Sequence, residues 1–203
     1  MELSCIVLAG GKGRRLSYDK LFLDISGRSL IERVIASLSV FKGDIIVVMD
    51  RERPLPGIVQ SEIKPVTDAY PDMGPLGGIY SGLAASSSFY NLTVAGDMPF
   101  LNQSLLKYMA KSATGFDVVI PRLGEMVEPL HAVYSRACLP YIKSELEREE
   151  RRIISFFPKV KVRYIEEKEI DRFDPRHLSF FNINTKDDLT TARKLVESIE
   201  VHP

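Results

Sequence analysis

The sequence predicts an α/β fold with a mostly parallel, twisted sheet and helices on both faces, and three observations predict it. Strand-length runs such as Cys5-Ile6-Val7-Leu8-Ala9 and Asp44-Ile45-Ile46-Val47-Val48-Met49 are almost continuously apolar, the mark of strands buried on both faces. Between these two runs, Leu30, Ile31, Val34, Ile35 and Leu38 recur at helical spacing. The order strand, loop, helix, strand then continues along the chain, and such βαβ units build a parallel sheet through right-handed crossovers. Together these describe one Rossmann-like domain over residues 1–203.

The later elements follow in the same way. Gly74 to Ser87 reads as a helix of small residues with a glycine-rich entry, and Asn91 to Phe100 as a strand that ends abruptly at Gly96-Asp97. Ser104 to Lys111 is helical and Asp117 to Ile120 is a strand. Pro129 to Tyr134 reads as extended, and Arg136 to Phe157 as mostly helical with a charged outer face. Val160 to Ile165 and Phe180 to Ile183 are predicted late strands. The last helix puts Leu189, Ala192, Val196 and Ile199 on one face, with Thr185 and Asp188 spaced as a capping box at its start. No repeat, low-complexity tract or linker divides the chain.

Composition narrows the function class. Lys+Arg and Asp+Glu each total 27, so the formal net charge is zero and gives no support to nucleic-acid binding. The two cysteines, Cys5 and Cys138, have no paired spacing, and Cys5 in its apolar run reads as a buried reduced thiol. The first apolar run is too short for a signal peptide and no stretch is long enough to cross a bilayer, so the expectation is a cytoplasmic enzyme or binding protein without a membrane role.

The chemistry begins at Gly10. A glycine turn after a buried strand, backed by a helix, offers backbone N–H groups to phosphate oxygens. The loop is no Walker A motif, because no Gly-Lys here precedes Ser or Thr in the required frame. The dinucleotide fingerprint starts at Gly11-Lys12-Gly13 but meets Leu16 where its third glycine belongs; Asp50 could still act as its acidic ribose ligand, so that alternative is weakened rather than removed. Arg14, Arg15 and Lys20 put three cations on this one loop, at the sheet edge where open α/β folds bind ligands, which points to a polyphosphate. Triphosphate chemistry calls for a divalent metal. Asp97 closes a strand at that same edge and is a candidate Mg²⁺ ligand, or equally an Asx-turn or helix-cap residue. Asp68 and Asp72, in a loop shaped by glycine and proline, are each as readily turn residues as ligands.

Read together, the segments resemble a known family. LAGGKGRRLSYDK (residues 8–20), DAYPDMGPLGGIYSGL (68–83), GDMPFL (96–101), EPLHAVY (128–134), the Arg151-Arg152 pair and FFNINTKDDL (180–189) are similar, in order, to the motifs of the MobA-like nucleotidyltransferases, the family that includes molybdenum cofactor guanylyltransferase. Leu16-Ser17 stands where that signature has Met-Gly, Gly13 where it has Ser, and Met49 where some members have Asn. The resemblance implies a nucleotide-diphospho-sugar transferase-like fold and transfer of GMP from GTP to the terminal phosphate of molybdopterin, with release of pyrophosphate. It implies that Leu8, Ala9, Gly10 and Gly11 present backbone groups to GTP and that Lys20, Arg14 and Arg15 meet its phosphates. Asp68 would hold the nucleoside, and Asp97 would bind GTP and Mg²⁺. Asn182, Asn184, Arg151 and Arg152 would lie on the pterin side, and proteins that deliver or accept the cofactor are implied partners. The attacking phosphate monoester has a second pKa of about 6 and needs no protein base. That fits a chain with three histidines and no evident triad, where His131 serves equally as substrate contact or strand packing. The alternatives are a related enzyme with another base or acceptor (molybdopterin cytidylyltransferase or cobinamide-phosphate guanylyltransferase) and a non-catalytic or redox nucleotide-binding protein.

Overall fold

The computed structural model describes residues 3–10, 18–51, 55 and 63–201, without the side chains of 18, 19 and 199–201. Its first strand, β1 (Ser4–Leu8), alternates its apolar side chains between two separate cores. A 3-10 turn over Tyr18–Phe22 carries Lys20, and a short hairpin follows, β2 (Asp24–Ile25) and β3 (Arg28–Ser29). Ser26 and Gly27 both have positive φ there, the backbone of a two-residue turn matched to strand twist. Helix α1 (Leu30–Leu38) starts at a Ser29/Glu32 capping box and buries the five apolar residues its spacing predicts. Each such buried side chain contributes about 1.5–3 kcal/mol.

Next come β4 (Ile45–Met49), β5 (Lys64–Thr67), α2 (Pro75–Ala85), β6 (Tyr90–Ala95) and α3 (Gln103–Lys111). The second half holds β7 (Val118–Leu123), β8 (Met126–Val127), β9 (His131–Ser135), α4 (Leu139–Leu146), β10 (Val162–Glu166), α5 (Glu167–Ile170) and α6 (Lys186–Val201).

The main sheet has the order β10-β7-β9-β6-β1-β4-β5, with β8 added to β7. β1 pairs in parallel with both β4 and β6, β4 with β5, and β7 with β10, whereas β9 runs antiparallel between β6 and β7. One face packs against α1, α3 and α5 through Ile31, Val34, Leu105, Met109 and Ile170; the other packs against α2 and α4 through Leu76, Ile79, Leu83 and Ile142. A smaller cluster of Ile25, Leu30, Ile183, Ala192 and Val196 fastens α6 to the hairpin. The chain leaves β1 toward β4 and later returns to β6 on β1's other side. The carboxyl ends of β1 and β6 therefore flank the switch point where such sheets take ligands.

Two predicted elements differ. Phe180–Ile183 is not a strand: Asp174 accepts the Leu178 and Ser179 amides at 3.1 and 2.7 Å, closing a 3-10 turn over Leu178–Phe180. The chain then crosses the sheet edge, where the Ile183 amide donates to the Asp97 carbonyl at 3.1 Å. Arg136–Phe157 is interrupted: α4 stops at Leu146, Glu149 turns with φ 59°, and a 3-10 segment over Ile153–Lys159 brings Phe156 and Phe157 both inward. Pro158 in this segment lacks the N–H an α-helix would need there and disfavours helical backbone at Phe157 before it. Both cysteines are buried thiols that burial pushes up to about 12, which leaves them unreactive. Among the described residues no helix is long and apolar enough to cross a membrane.

Candidate active site

Lys20, Asp97 and Asn184 meet. The Lys20 ammonium donates to Asp97 Oδ2 at 2.8 Å and to Asn184 Oδ1 at 3.1 Å, joining groups 77 and 164 residues apart in the chain. Each arrives on a different element. Lys20 belongs to the 3-10 turn whose next residue, Leu21, lies over Gly96, where an added Cβ would stand 3.0 Å from Leu21 Cδ2. Asp97 follows β6, whose pairing with β1 is prolonged by the Gly96 amide donating to the Leu8 carbonyl at 3.0 Å. Asn184 is carried in by the Ile183–Asp97 backbone bond. An ammonium has three N–H groups, so with two committed one remains for a phosphate oxygen. Asp97 Oδ1 accepts no hydrogen bond among the described residues, and the Asp97 side chain is 24% exposed against 10% for Lys20.

A cavity of about 260 Å³ opens at the carboxyl ends of β1, β4 and β5; its lining includes Leu8, Gly10, Asp50, Asp68, Asp72 and Arg151 and none of the three triad residues. That is near the small end of the ~300–1,000 Å³ usual for small-molecule sites, room for one nucleoside-sized group. Gly10 makes the approach possible, since a Cβ there would fall 2.8 Å from the Asp50 backbone nitrogen. Asp68 is fixed from two sides: its Oδ1 accepts the Tyr70 amide at 2.9 Å and the Ser81 hydroxyl at 2.8 Å. Gly77 lets helix α2 close on this loop, where a Cβ would meet the Tyr70 carbonyl at 2.5 Å and Asp68 Oδ1 at 3.3 Å.

The remaining expected residues are distributed as follows. Ala9 is buried, and its amide donates to the Val48 carbonyl at 2.8 Å. Arg151 lines the cavity with Gly10 and Asp68, and Arg152 is exposed with its amide on Glu150. Asn182 donates to the Phe180 carbonyl at 3.2 Å beside the triad rather than within it. Gly11, Arg14 and Arg15 lie outside the described residues. His131 is fully buried, with its ring 4.9 Å from Phe180 and no hydrogen bond on either nitrogen, which makes it a packed residue without access to substrate. Sequence reasoning missed Ser81, although a buried hydroxyl on the packed face of a helix is a signal of a polar task.

The donor set also bears on metal. Among the described residues no three His, Cys, Asp or Glu side chains gather to hold an ion. A single half-buried carboxylate with one oxygen uncommitted is nonetheless what Mg²⁺ uses, because it takes one or two carboxylates and draws its other ligands from phosphates and water.

Comparison with known proteins places the chain among relatives. A family model described as the MobA-like NTP transferase domain matches residues 5–162. The molybdenum cofactor guanylyltransferase of Desulfosudis oleivorans is 35% identical over 195 residues, covering 95% of this chain and 95% of that protein. The crystal structure of molybdopterin-guanine dinucleotide biosynthesis protein A from Archaeoglobus fulgidus matches with a TM-score of 0.81 at 27% identity, over 97% of this chain and 100% of that one. The 2-C-methyl-D-erythritol 4-phosphate cytidylyltransferase from Thermus thermophilus, at 18% identity and a TM-score of 0.72, covers the same 97% and 100% and shares the fold.

Proposed function

Because the chain belongs to the MobA-like NTP transferase family, we propose that it transfers GMP from GTP to the terminal phosphate of molybdopterin or its molybdenum-bearing form. An oxygen of that phosphate attacks the α-phosphorus of GTP, the bond to the β-phosphate breaks, and pyrophosphate leaves. The product carries the guanine nucleotide through a new pyrophosphate bridge. The observation that carries the reading is the convergence of Lys20, Asp97 and Asn184 at the carboxyl end of β6, on the same sheet edge as a nucleoside-sized cavity at the ends of β1, β4 and β5.

The residues divide the work. Leu8 and Gly10, which line the cavity, seat the nucleotide, Ala9 between them holds the turn through its amide on the Val48 carbonyl, and Asp68, braced by Ser81, accepts from the nucleoside hydroxyls. Arg151, which shares the lining of that cavity with Gly10 and Asp68, supplies a cation to the nucleotide rather than to the pterin. The third N–H of Lys20 goes to a phosphate oxygen, and Arg14 and Arg15 neutralise the departing pyrophosphate. Asn182 and Asn184 stand where the acceptor enters. Asp97 would hold Mg²⁺ through its uncommitted oxygen together with GTP, and the ion would supply charge neutralisation across the phosphate oxygens. No general base is required, since the acceptor phosphate is already largely dianionic above its second pKa of about 6. The rate then comes from positioning and charge. The reading places the protein in the cytoplasm, exchanging its cofactor with delivering or accepting proteins.

Asp97→Ala tests it. The variant is expected to keep its fold, because a part-exposed carboxylate contributes little packing, and to lose Mg²⁺-dependent pyrophosphate release. Retained Mg²⁺-dependent guanylyl transfer in that variant would sink the assignment.

A further inference from the structure

The Asn184 side chain that holds Lys20 is itself exposed, and a solvated asparagine needs something to aim it. Asp188, in the first turn of α6, supplies this. Its Oδ2 accepts the Thr185 amide at 2.7 Å and also the Asn184 amide at 2.9 Å. Thr185 Oγ1 accepts in return from the Asp188 amide at 3.1 Å. A capping box requires only the reciprocal Thr185–Asp188 pair. The bond to Asn184 falls one residue outside the helix and is surplus to capping. It fixes the backbone of the residue whose side chain reaches Lys20.

We propose that Asp188 is a positioning residue for guanylyl transfer: its Oδ2 clamps the Asn184 amide, which aims Asn184 Oδ1 at the Lys20 ammonium and so sets Lys20 against Asp97. This rests on the reading of Lys20 and Asp97 given above. The backbone amides of Asn184 and Thr185 and the Thr185 hydroxyl hold the Asp188 carboxyl below its usual range, so it is an ionised, full-strength acceptor at neutral pH. Nothing in the clamp touches the reacting phosphates. Its effect passes through one lysine, chiefly by aiming Asn184 at it and to a lesser degree by the direct attraction of the two charges, and misplacing such a group costs rate more than fold.

The experiment compares Asp188→Ala, Asp188→Asn, Thr185→Ala, Asn184→Ala and the Asn184→Ala/Asp188→Ala double variant. Guanylyl-transfer kcat, KM for GTP, thermal midpoint and calorimetric binding of Mg²⁺·GTP are read for each. Asp188→Ala is expected to lower kcat roughly ten- to a hundredfold. Asp188→Asn keeps a carbonyl acceptor and is expected within about threefold of wild type. Thr185→Ala breaks the cap but spares the Asn184 bond, so it should lose thermal stability while keeping its kcat. In the Asn184→Ala background the Asp188→Ala change should cost little more, because both act along one chain of contacts. Wild-type kcat in Asp188→Ala, an equal kcat loss in Thr185→Ala, or additive losses in the double variant would overturn the clamp. If Asp188→Ala does not fold, Asp188→Ser, too short to reach both amides, is held to the same criteria. Absence of transfer by the wild-type protein would instead refute the functional reading. The clamp is then judged on Mg²⁺·GTP binding, which should weaken in Asp188→Ala and Asn184→Ala and not in Thr185→Ala; unweakened binding in the first two overturns it.

Discussion

His131 makes the protein acid-sensitive in a defined window. It opens β9 opposite Val94 of β6, wholly buried, with neither ring nitrogen hydrogen-bonded. Burial disfavours the imidazolium and lowers its pKa from 6.5 to about 4, against a smaller opposite pull from the Asp174 charge. A base whose folded pKa lies below its unfolded value costs stability in acid. Above pH 6.5 both states are neutral and nothing is lost; between 6.5 and about 4 the unfolded chain binds a proton that the folded chain refuses; below about 4 the loss is complete. The linkage relation gives a loss of about 2 kcal/mol at pH 5 relative to pH 8, and about 3 kcal/mol in full. The assay is urea unfolding of wild type and His131→Leu across pH 8 to 5. Leu removes two unpartnered polar atoms, so the variant should be no less stable at pH 8. It should also escape the histidine's share of the acid loss, a divergence of roughly 1 M in midpoint for an m-value near 2 kcal/mol/M. Taking the difference between the two proteins cancels the carboxylates they share. Equal losses between pH 8 and 5 would refute the reasoning.

Three further outcomes are expected. Lys20→Met, which keeps the stem and removes the ammonium from Asp97 and Asn184, should lower guanylyl-transfer kcat at least a hundredfold, on the order of 3 kcal/mol of lost charge stabilisation, and single-turnover rates check it. Gly77→Ala pushes a methyl into the Tyr70 carbonyl and the Asp68 loop, so a stability loss of about 1–3 kcal/mol with a raised KM for GTP is expected from thermal melts and steady-state kinetics. Arg151→Ala should raise KM for GTP several-fold, about 1 kcal/mol, and leave KM for the acceptor unchanged, because Arg151 lines the cavity proposed for the nucleoside.

How much of this was legible in the chain depends on what each residue had to say alone. β1 and β4 announce themselves because strands covered on both faces are almost continuously apolar, and α1 because its apolar spacing meets one face. β9 was readable as extended but its direction was not: HAVYS is buried throughout whichever way it runs, and only hydrogen-bond register sets it antiparallel to β6. Phe180–Ile183 failed as a strand because Asp174, several residues earlier, captures its turn amides, a side-chain event that apolar content conceals. At the site, Lys20 and Asp97 were legible by type and by sheet edge, since each follows a buried strand. That Asn184 would join them was not, because the join depends on the Ile183 amide reaching the Asp97 carbonyl. Ser81 reads as an ordinary helix residue, and Asp188 as half of a capping box and nothing more. Their tasks exist only once a loop is folded against them.

The central claim is guanylyl transfer to a pterin phosphate at the Lys20–Asp97 centre. Its most direct test incubates the wild-type protein with Mg²⁺, molybdopterin and, in separate reactions, GTP, CTP or ATP, and measures pyrophosphate together with the nucleotide joined to the acceptor. Stoichiometric pyrophosphate and guanine dinucleotide product from GTP, with far slower turnover of CTP and ATP, is the predicted result. Nucleotide binding without pyrophosphate release, or preferential turnover of CTP, would contradict it.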